Sequence, residues 1–295
     1  MQYSLPAPRV ASQPRVAWWT QSTAGRFFKN KSNAAGVAIL GPVVLLAMLA
    51  PVLPLPDPVA TDIIASLEAP SFAHLFGTDK LGRDIFSRTL SGLQVSLVVG
   101  FASAAISMTV GVVVGTIAGT MGKTVDAVIS SLVDVFLAFP SLLLAIGVIA
   151  VFGSGLPQLI AALSISSMPG AVRLQRSMAL GLRSRTFMDA ARMANAPMWW
   201  LLVRHVVPNT VAPMVVVATI YAANAILAEA ALSFLGLGIV PPAPSLGNLV
   251  ADGRNYLQTA WWISTMPGIA LALVAMSLHL FSDGIREQLD PQHRT

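Results

Sequence analysis

Five stretches of this chain carry no Asp, Glu, Lys or Arg at all: residues 32–56, 89–122, 135–172, 205–228 and 255–282. Each is long enough to cross a bilayer, which takes roughly 20 apolar residues as helix. Hydrocarbon offers no water to backbone N–H and C=O groups, so a segment crossing it must close its own hydrogen bonds as helix or as a sealed barrel. The alternating pattern of a barrel strand is missing. An all-α membrane protein with about six transmembrane helices follows, with spans expected at 34–53, 93–121, 129–152, 156–179, 210–235 and 262–282. The overall make-up agrees, with 55% hydrophobic and only 11% charged residues, against about a quarter charged in soluble domains.

Basic residues orient the spans. With the N-terminus cytoplasmic, the inner side receives Arg9, Arg15, Arg26, Lys29, Lys31, Lys123, the six arginines from Arg173 to Arg204, Arg286 and Arg294, which is 14 of the 18 Lys and Arg. Lys80, Arg83, Arg88 and Arg254 fall outside. Cytoplasmic loops carry the excess of Lys and Arg, so both termini are expected inside. The expected organisation is a cytoplasmic tail (1–33), a first span (34–53) read as a retained helix, an extracytoplasmic loop (54–92), a five-helix core (93–282) and a cytoplasmic tail (283–295). The core contains a cytoplasmic loop (180–208) and an extracytoplasmic loop (236–261). Both outer loops are too long for turns and should carry short helices. Trp18 and Trp19, near Phe27 and Phe28 and among basic residues, read either as a helix lying on the inner surface or as part of a disordered tail. The high pI of about 10.1 is explained by these membrane-flanking charges, without nucleic acid. No cysteine is present, which removes disulfides and thiolate metal sites.

Two patterns speak about packing. Ser103, Ser107, Gly111, Gly115 and Gly119 place a small residue at every fourth position, a face along which another helix can approach closely. Pro140, Pro169, Pro213 and Pro267 each remove one intrahelical hydrogen bond inside an expected span and permit a bend.

The inner loop 180–208 reads as a docking element. Thr186 with Asp189 three residues later resembles a capping box, starting a helix at Phe187. Met188, Ala190, Ala191, Arg192 and Ala194 continue it. Asn195 tolerates a left-handed C-terminal turn and Pro197 follows as a stop. A second amphipathic stretch, Met198–Val207, leads to Pro208. Charged or polar residues inside spans are costly, which singles out Asp134, Glu229 and Asn224 as either pathway or helix-pairing groups. In the outer loop, Gly77 and Gly82 frame Asp79, Arg83 and Asp84, which either bond to one another and fix the loop, as the turn-rich setting favours, or contact a partner protein.

Asp189-Ala190-Ala191, Asn195 six residues on, and His205-Val206-Val207-Pro208 are similar to the E-A-A-x3-G-x9-I-x-L-P loop of ABC importer membrane subunits. Asp189, Asn195, His205 and Val207 depart from that pattern. The segments from Phe76 to Arg88, Ala228 to Gly238, Pro241 to Asn248 and Asp283 to Arg286 resemble the second ("C-type") permease of the dipeptide, oligopeptide and nickel importer group. The resemblance implies a type I ABC importer permease fold. It also implies partners: a homologous second permease, two ABC ATPases that bind ATP and magnesium, an extracytoplasmic binding protein, and a peptide or similar small solute as cargo. In that family the loop around Asp189 and Asn195 is a coupling helix seated in the ATPase.

Several competing readings are weaker. Gly122-Lys123-Thr124 mimics the end of a phosphate-binding loop, but Ile117 stands where its first glycine should be and a span precedes it. No nucleotide or other cofactor is therefore expected in this chain, nor a metal. A proton-coupled transporter could use Asp134 and Glu229, but no inverted repeat is visible. Ser154 between two glycines lacks a nearby base for catalysis, and no filter-like repeat suggests a channel.

Overall fold

A computed structural model describes residues 31–289, and among the described residues every regular element is helical; the only bridge of strand type joins Thr78 to Asp84. The surface helix expected around Trp18 and Trp19, the remainder of the 1–33 tail before Lys31, and the last residues of the 283–295 tail lie outside the described residues.

Among the described residues ten α-helices follow in order: α1 Lys31–Leu49, α2 Ile85–Thr120, α3 Lys123–Leu137, α4 Ser141–Phe152, α5 Leu156–Arg183, α6 Thr186–Met193, α7 Met198–Leu201, α8 Val207–Phe234, α9 Leu246–Gly253 and α10 Trp262–Leu289. A π-helical turn over Leu202–Val206 joins α7 to α8. That turn lies just ahead of Pro208, which has no N–H to give; the Val207 N–H reaches back to the Leu202 carbonyl, so the ladder changes register where a proline would otherwise break it.

Among the described residues, three helical stretches are long and apolar enough to cross a membrane alone: Ile85–Thr120, Met198–Phe234 and Trp262–Arg286. Helices α3 and α4 pass the same test only as a pair, bent by 88°. The single span expected at 129–152 is thus two helices, the first starting at Lys123. Pro140 is the cause: it cannot donate, and it drives the residue before it out of helical geometry. Pro169, Pro213 and Pro267 lie inside continuous helices. The described part of α1 contributes a short apolar helix, and α5 has the length but carries Gln158, Gln175, Arg173, Arg176 and several serines.

The bundle is organised around α2 and α5, which pack along most of their lengths, with α8 against α2 and α10 against both α1 and α8. The small-residue stripe is the α2–α5 seam. A Cβ on Gly111 would stand 2.6 Å from the Ala171 Cβ, one on Gly115 2.6 Å from the Val172 carbonyl, and one on Gly119 2.7 Å from the Ala179 Cβ. Ser107 donates to the Ser164 carbonyl at 3.1 Å and shares a hydrogen bond with Ser167 at 2.7 Å. Close approach of this kind supplies the van der Waals attraction that replaces hydrophobic driving force in lipid.

Candidate functional site

The end of the bundle that carries α6 holds the expected docking element. Helix α6 begins at Thr186, one residue earlier than the capping box requires, and its first N–H groups, of Met188 and Asp189, reach the Arg185 carbonyl. Thr186 therefore sits in the first turn instead of capping it. At the other end Asn195 adopts φ +60°, and the Ala196 N–H bonds the Ala191 carbonyl at 3.2 Å. This is the six-to-one closure of a Schellman turn, which a left-handed residue makes possible. Pro197 then caps α7.

Met188 anchors the helix: it is fully buried among Ala179 at the end of α5, Leu201 of α7 and Val206 of the π turn. Thr186, Phe187, Asp189, Ala190, Ala194 and Asn195 face outward, Ala191 is half-buried, and the Arg192 side chain lies outside the described residues. His205 is held between two rings, 4.9 Å from Trp200 and 5.8 Å from Phe187. Phe187, Met193, Trp199 and Val203 leave large apolar surfaces exposed around the protrusion. Exposed apolar area of this kind is characteristic of surfaces that contact protein or membrane.

The opposite end holds the loop signature. Helix α2 starts at Ile85, well before the expected 93, because Asp84 caps it by accepting from the Ser87 N–H at 2.7 Å. Arg83 Nε donates to Asp79 Oδ2 at 2.6 Å, and Asp79 Oδ1 accepts the N–H groups of Leu81 and Arg83. Asp84 pairs instead with His74 Nδ1 at 2.9 Å. Gly77 and Gly82 both have φ near +70°, and a side chain at Gly82 would collide with the Asp62 carbonyl. The loop is tied to α10 by Trp262, whose indole N–H donates to the Thr78 carbonyl at 3.1 Å.

Between these ends lie the candidate in-span polar groups. Glu229 is completely buried, with Oε2 accepting from Ser96 Oγ at 2.7 Å and Oε1 from Ser233 Oγ at 2.8 Å. It pairs α8 with α2. Asp134 forms an ion pair with Arg173, joining α3 to α5, and more than half of each side chain is exposed. Asn224 is exposed on α8 near Tyr221.

Some connecting residues were not singled out in the sequence. Asp126 and Arg176 form a two-pronged pair, with Nη2 to Oδ2 at 2.7 Å and Nε to Oδ1. Gln175, fully buried, donates at 2.8 Å to both Thr116 and Thr210 and so fastens α2, α5 and α8 at one point. The legible signal was spacing: Asp126, Ser130 and Asp134 recur every fourth residue, on one face of a helix, opposite Arg173 and Arg176.

Residues 111–295 match the family described as binding-protein-dependent transport system inner membrane component. A relative in Brucella abortus biovar 1 (strain 9-941), provisionally named a peptide transport system permease protein, is 41% identical over 289 residues, covering 98% of this chain and 96% of the relative. The chain belongs to this permease family. The di/tripeptide transport system permease protein DppC of Pseudomonas aeruginosa is 38% identical over 272 residues, with 90% of each chain covered. Among solved structures, one of the MetNI methionine ABC transporter in inward-facing conformations superposes with a TM-score of 0.56 at 18% identity, covering 70% of this chain and 98% of that one. The permease is thus an all-helical, multi-span membrane protein of the type I ABC importer permease fold.

Proposed function

We propose that this permease forms one half of the translocation pathway of an ATP-driven, binding-protein-dependent importer of di- or oligopeptides. A homologous permease supplies the other half, two cytoplasmic ABC ATPases supply ATP hydrolysis with magnesium, and an extracytoplasmic protein delivers the peptide. Six crossings with both termini in the cytoplasm would put α6 on the ATPase side, in keeping with the distribution of Lys and Arg. This chain does no catalysis itself.

The observation that carries the reading is the geometry of α6. A rigid eight-residue helix, rooted through Met188 and closed by left-handed Asn195, presents exposed Asp189, Ala190 and neighbouring apolar side chains. A push from an ATPase would pass through Met188 to the ends of α5 and α8. Nucleotide must favour one arrangement of the bundle over the other to drive transport, since equal binding to both moves nothing. Peptide as cargo is supported by the names of relatives that match nearly end to end.

The test is uptake of labelled di- and tripeptides by the complete reconstituted complex. Ala190→Trp should abolish ATP-dependent uptake while the protein still inserts, and wild-type uptake by that variant would refute the docking role. Cysteines placed at Lys80, Arg183 and Arg254 test the orientation: an impermeant thiol reagent added outside should label the first and third. Labelling at Arg183 alone would invert the topology.

A further inference from the structure

Where α3 and α4 meet at their sharp bend, the bundle leaves a hollow of about 270 Å³. Four elements converge there: Leu137 ends α3, Ser141 starts α4, Ser166, Ser167 and Gly170 come from α5, and Tyr221 and Asn224 from α8. Asn224 lies ten residues before the end of α8 at Phe234, about 15 Å along the helix axis and so well inside the span. It is exposed. An amide bared to hydrocarbon at that depth is expensive, so this face of α8 is turned to a water-filled passage or to protein.

The chemistry of the lining separates those two. Ser166 gives its proton to the Leu163 carbonyl at 3.0 Å, which leaves its hydroxyl lone pairs able to accept, whereas Ser167 is engaged by Leu163 and by Ser107 in the seam. Among the described residues the Asn224 amide and the Tyr221 hydroxyl have no hydrogen-bond partner within this chain. Gly170 is what lets Tyr221 lie across α5, since a Cβ there would touch the phenolic oxygen. Set among the apolar Leu137, Leu163, Ala225 and Ala228, this polar strip of the lining offers donors and acceptors together and no formal charge. A peptide backbone brings one donor and one acceptor per residue. An uncharged wall can hold it briefly without trapping it, as conduction requires. The volume falls just below the roughly 300–1,000 Å³ of complete small-molecule sites, as expected for half of a passage.

We infer that Ser166, Tyr221 and Asn224 form a polar wall that hydrogen-bonds the peptide backbone of the cargo in transit. This rests on the peptide-importer reading above. The experiment uses the complete complex in vesicles, with labelled trialanine as the probe. For the Tyr221→Phe, Asn224→Leu double variant, trialanine accumulated per ATP hydrolysed should fall at least fivefold; a purely structural defect would lower uptake and hydrolysis together and leave the ratio intact. In the naturally cysteine-free chain, Asn224→Cys should react at least tenfold faster with a water-soluble thiol reagent than Val215→Cys, nine residues away and on the opposite face of the same helix. Trialanine delivered by the binding protein should slow that reaction at least threefold. Wild-type vesicles that accumulate no trialanine would refute the peptide reading itself. Wild-type vesicles that accumulate it, with the ratio unchanged in the double variant, or with position 224 reacting no faster than 215, would overturn the wall alone.

Discussion

Ser96 of α2 donates a 2.7 Å hydrogen bond to the carboxylate of Glu229 on α8, joining residues 133 positions apart in sequence. The contact sits where α9 also docks: the backbone at Ser245 and Leu246 lies against Gly92 of α2, and Gly247 lies against Ala230 and Ser233 of α8. The Glu229 carboxylate, which the sequence singles out as a pathway or helix-pairing group, bonds a serine through each oxygen and so links α2 to α8.

Replacing Glu229 by leucine leaves the Ser96 and Ser233 hydroxyls buried without their acceptor, at a cost of about 1–3 kcal/mol. Glu229→Gln keeps the shape and one accepting oxygen and should cost less. Thermal unfolding of purified protein in detergent should rank them wild type, Glu229→Gln, Glu229→Leu. Leucine as stable as wild type would mean the serines find other partners.

The α2–α5 seam predicts a steep response to a single methyl group. At Gly115 an added Cβ meets a carbonyl oxygen and the Gln175 Cβ, both within 2.7 Å, and neither is the free end of a flexible chain. Gly115→Ala should destabilise by about 1–3 kcal/mol, the range for overpacking. Gly147, with open space around its Cβ position, provides the control, and Gly147→Ala should melt at or above the wild-type temperature.

Legibility in the sequence followed the range of the interactions. The helical character and the seam were readable because hydrocarbon imposes helix and small residues recur at helical spacing; at Pro140 the missing N–H signalled a permitted bend, but not that the span expected at 129–152 divides into two helices. The left-handed turn at Asn195 was readable because few residue types tolerate it. By contrast, α2 was expected to begin at 93 because Arg83, Asp84 and Arg88 look like loop; their charges are in fact absorbed by Asp79, by His74, and by the Pro58 carbonyl, which accepts from Arg88 at 2.7 Å. Gln175 was invisible for the same reason, since its two threonine partners come from helices 59 and 35 residues away.

Asp79 anchors the outer loop through one side chain and two backbone donors. Asp79→Ala should free the segment 58–83 while leaving the helices in place, because Asp84 still caps α2. Limited proteolysis should cut the variant within that segment at least several-fold faster than wild type, with helical circular dichroism unchanged. Equal cutting rates would show that Trp262 and Thr78 hold the loop unaided.

The two ion pairs between α3 and α5 should differ in worth. Asp126 and Arg176 meet fork to fork with under a third of either side chain exposed, whereas Asp134 and Arg173 meet through one nitrogen with more than half exposed. Two-pronged geometry and partial burial strengthen a pair, while exposure, side-chain entropy and salt bring a typical surface pair to roughly 0–1 kcal/mol. A double-mutant cycle with alanine at each position, read by thermal unfolding, isolates the pairwise part. The Asp126–Arg176 coupling should come out near the upper end of that range or somewhat above, about 1 kcal/mol, and persist at 1 M salt, where the Debye length is about 3 Å. The Asp134–Arg173 coupling should be a few tenths of a kcal/mol and vanish there. A reversed order would mean that the lipid or a neighbouring chain covers Asp134 and Arg173, and that this exposed pair is the stronger clamp on α3.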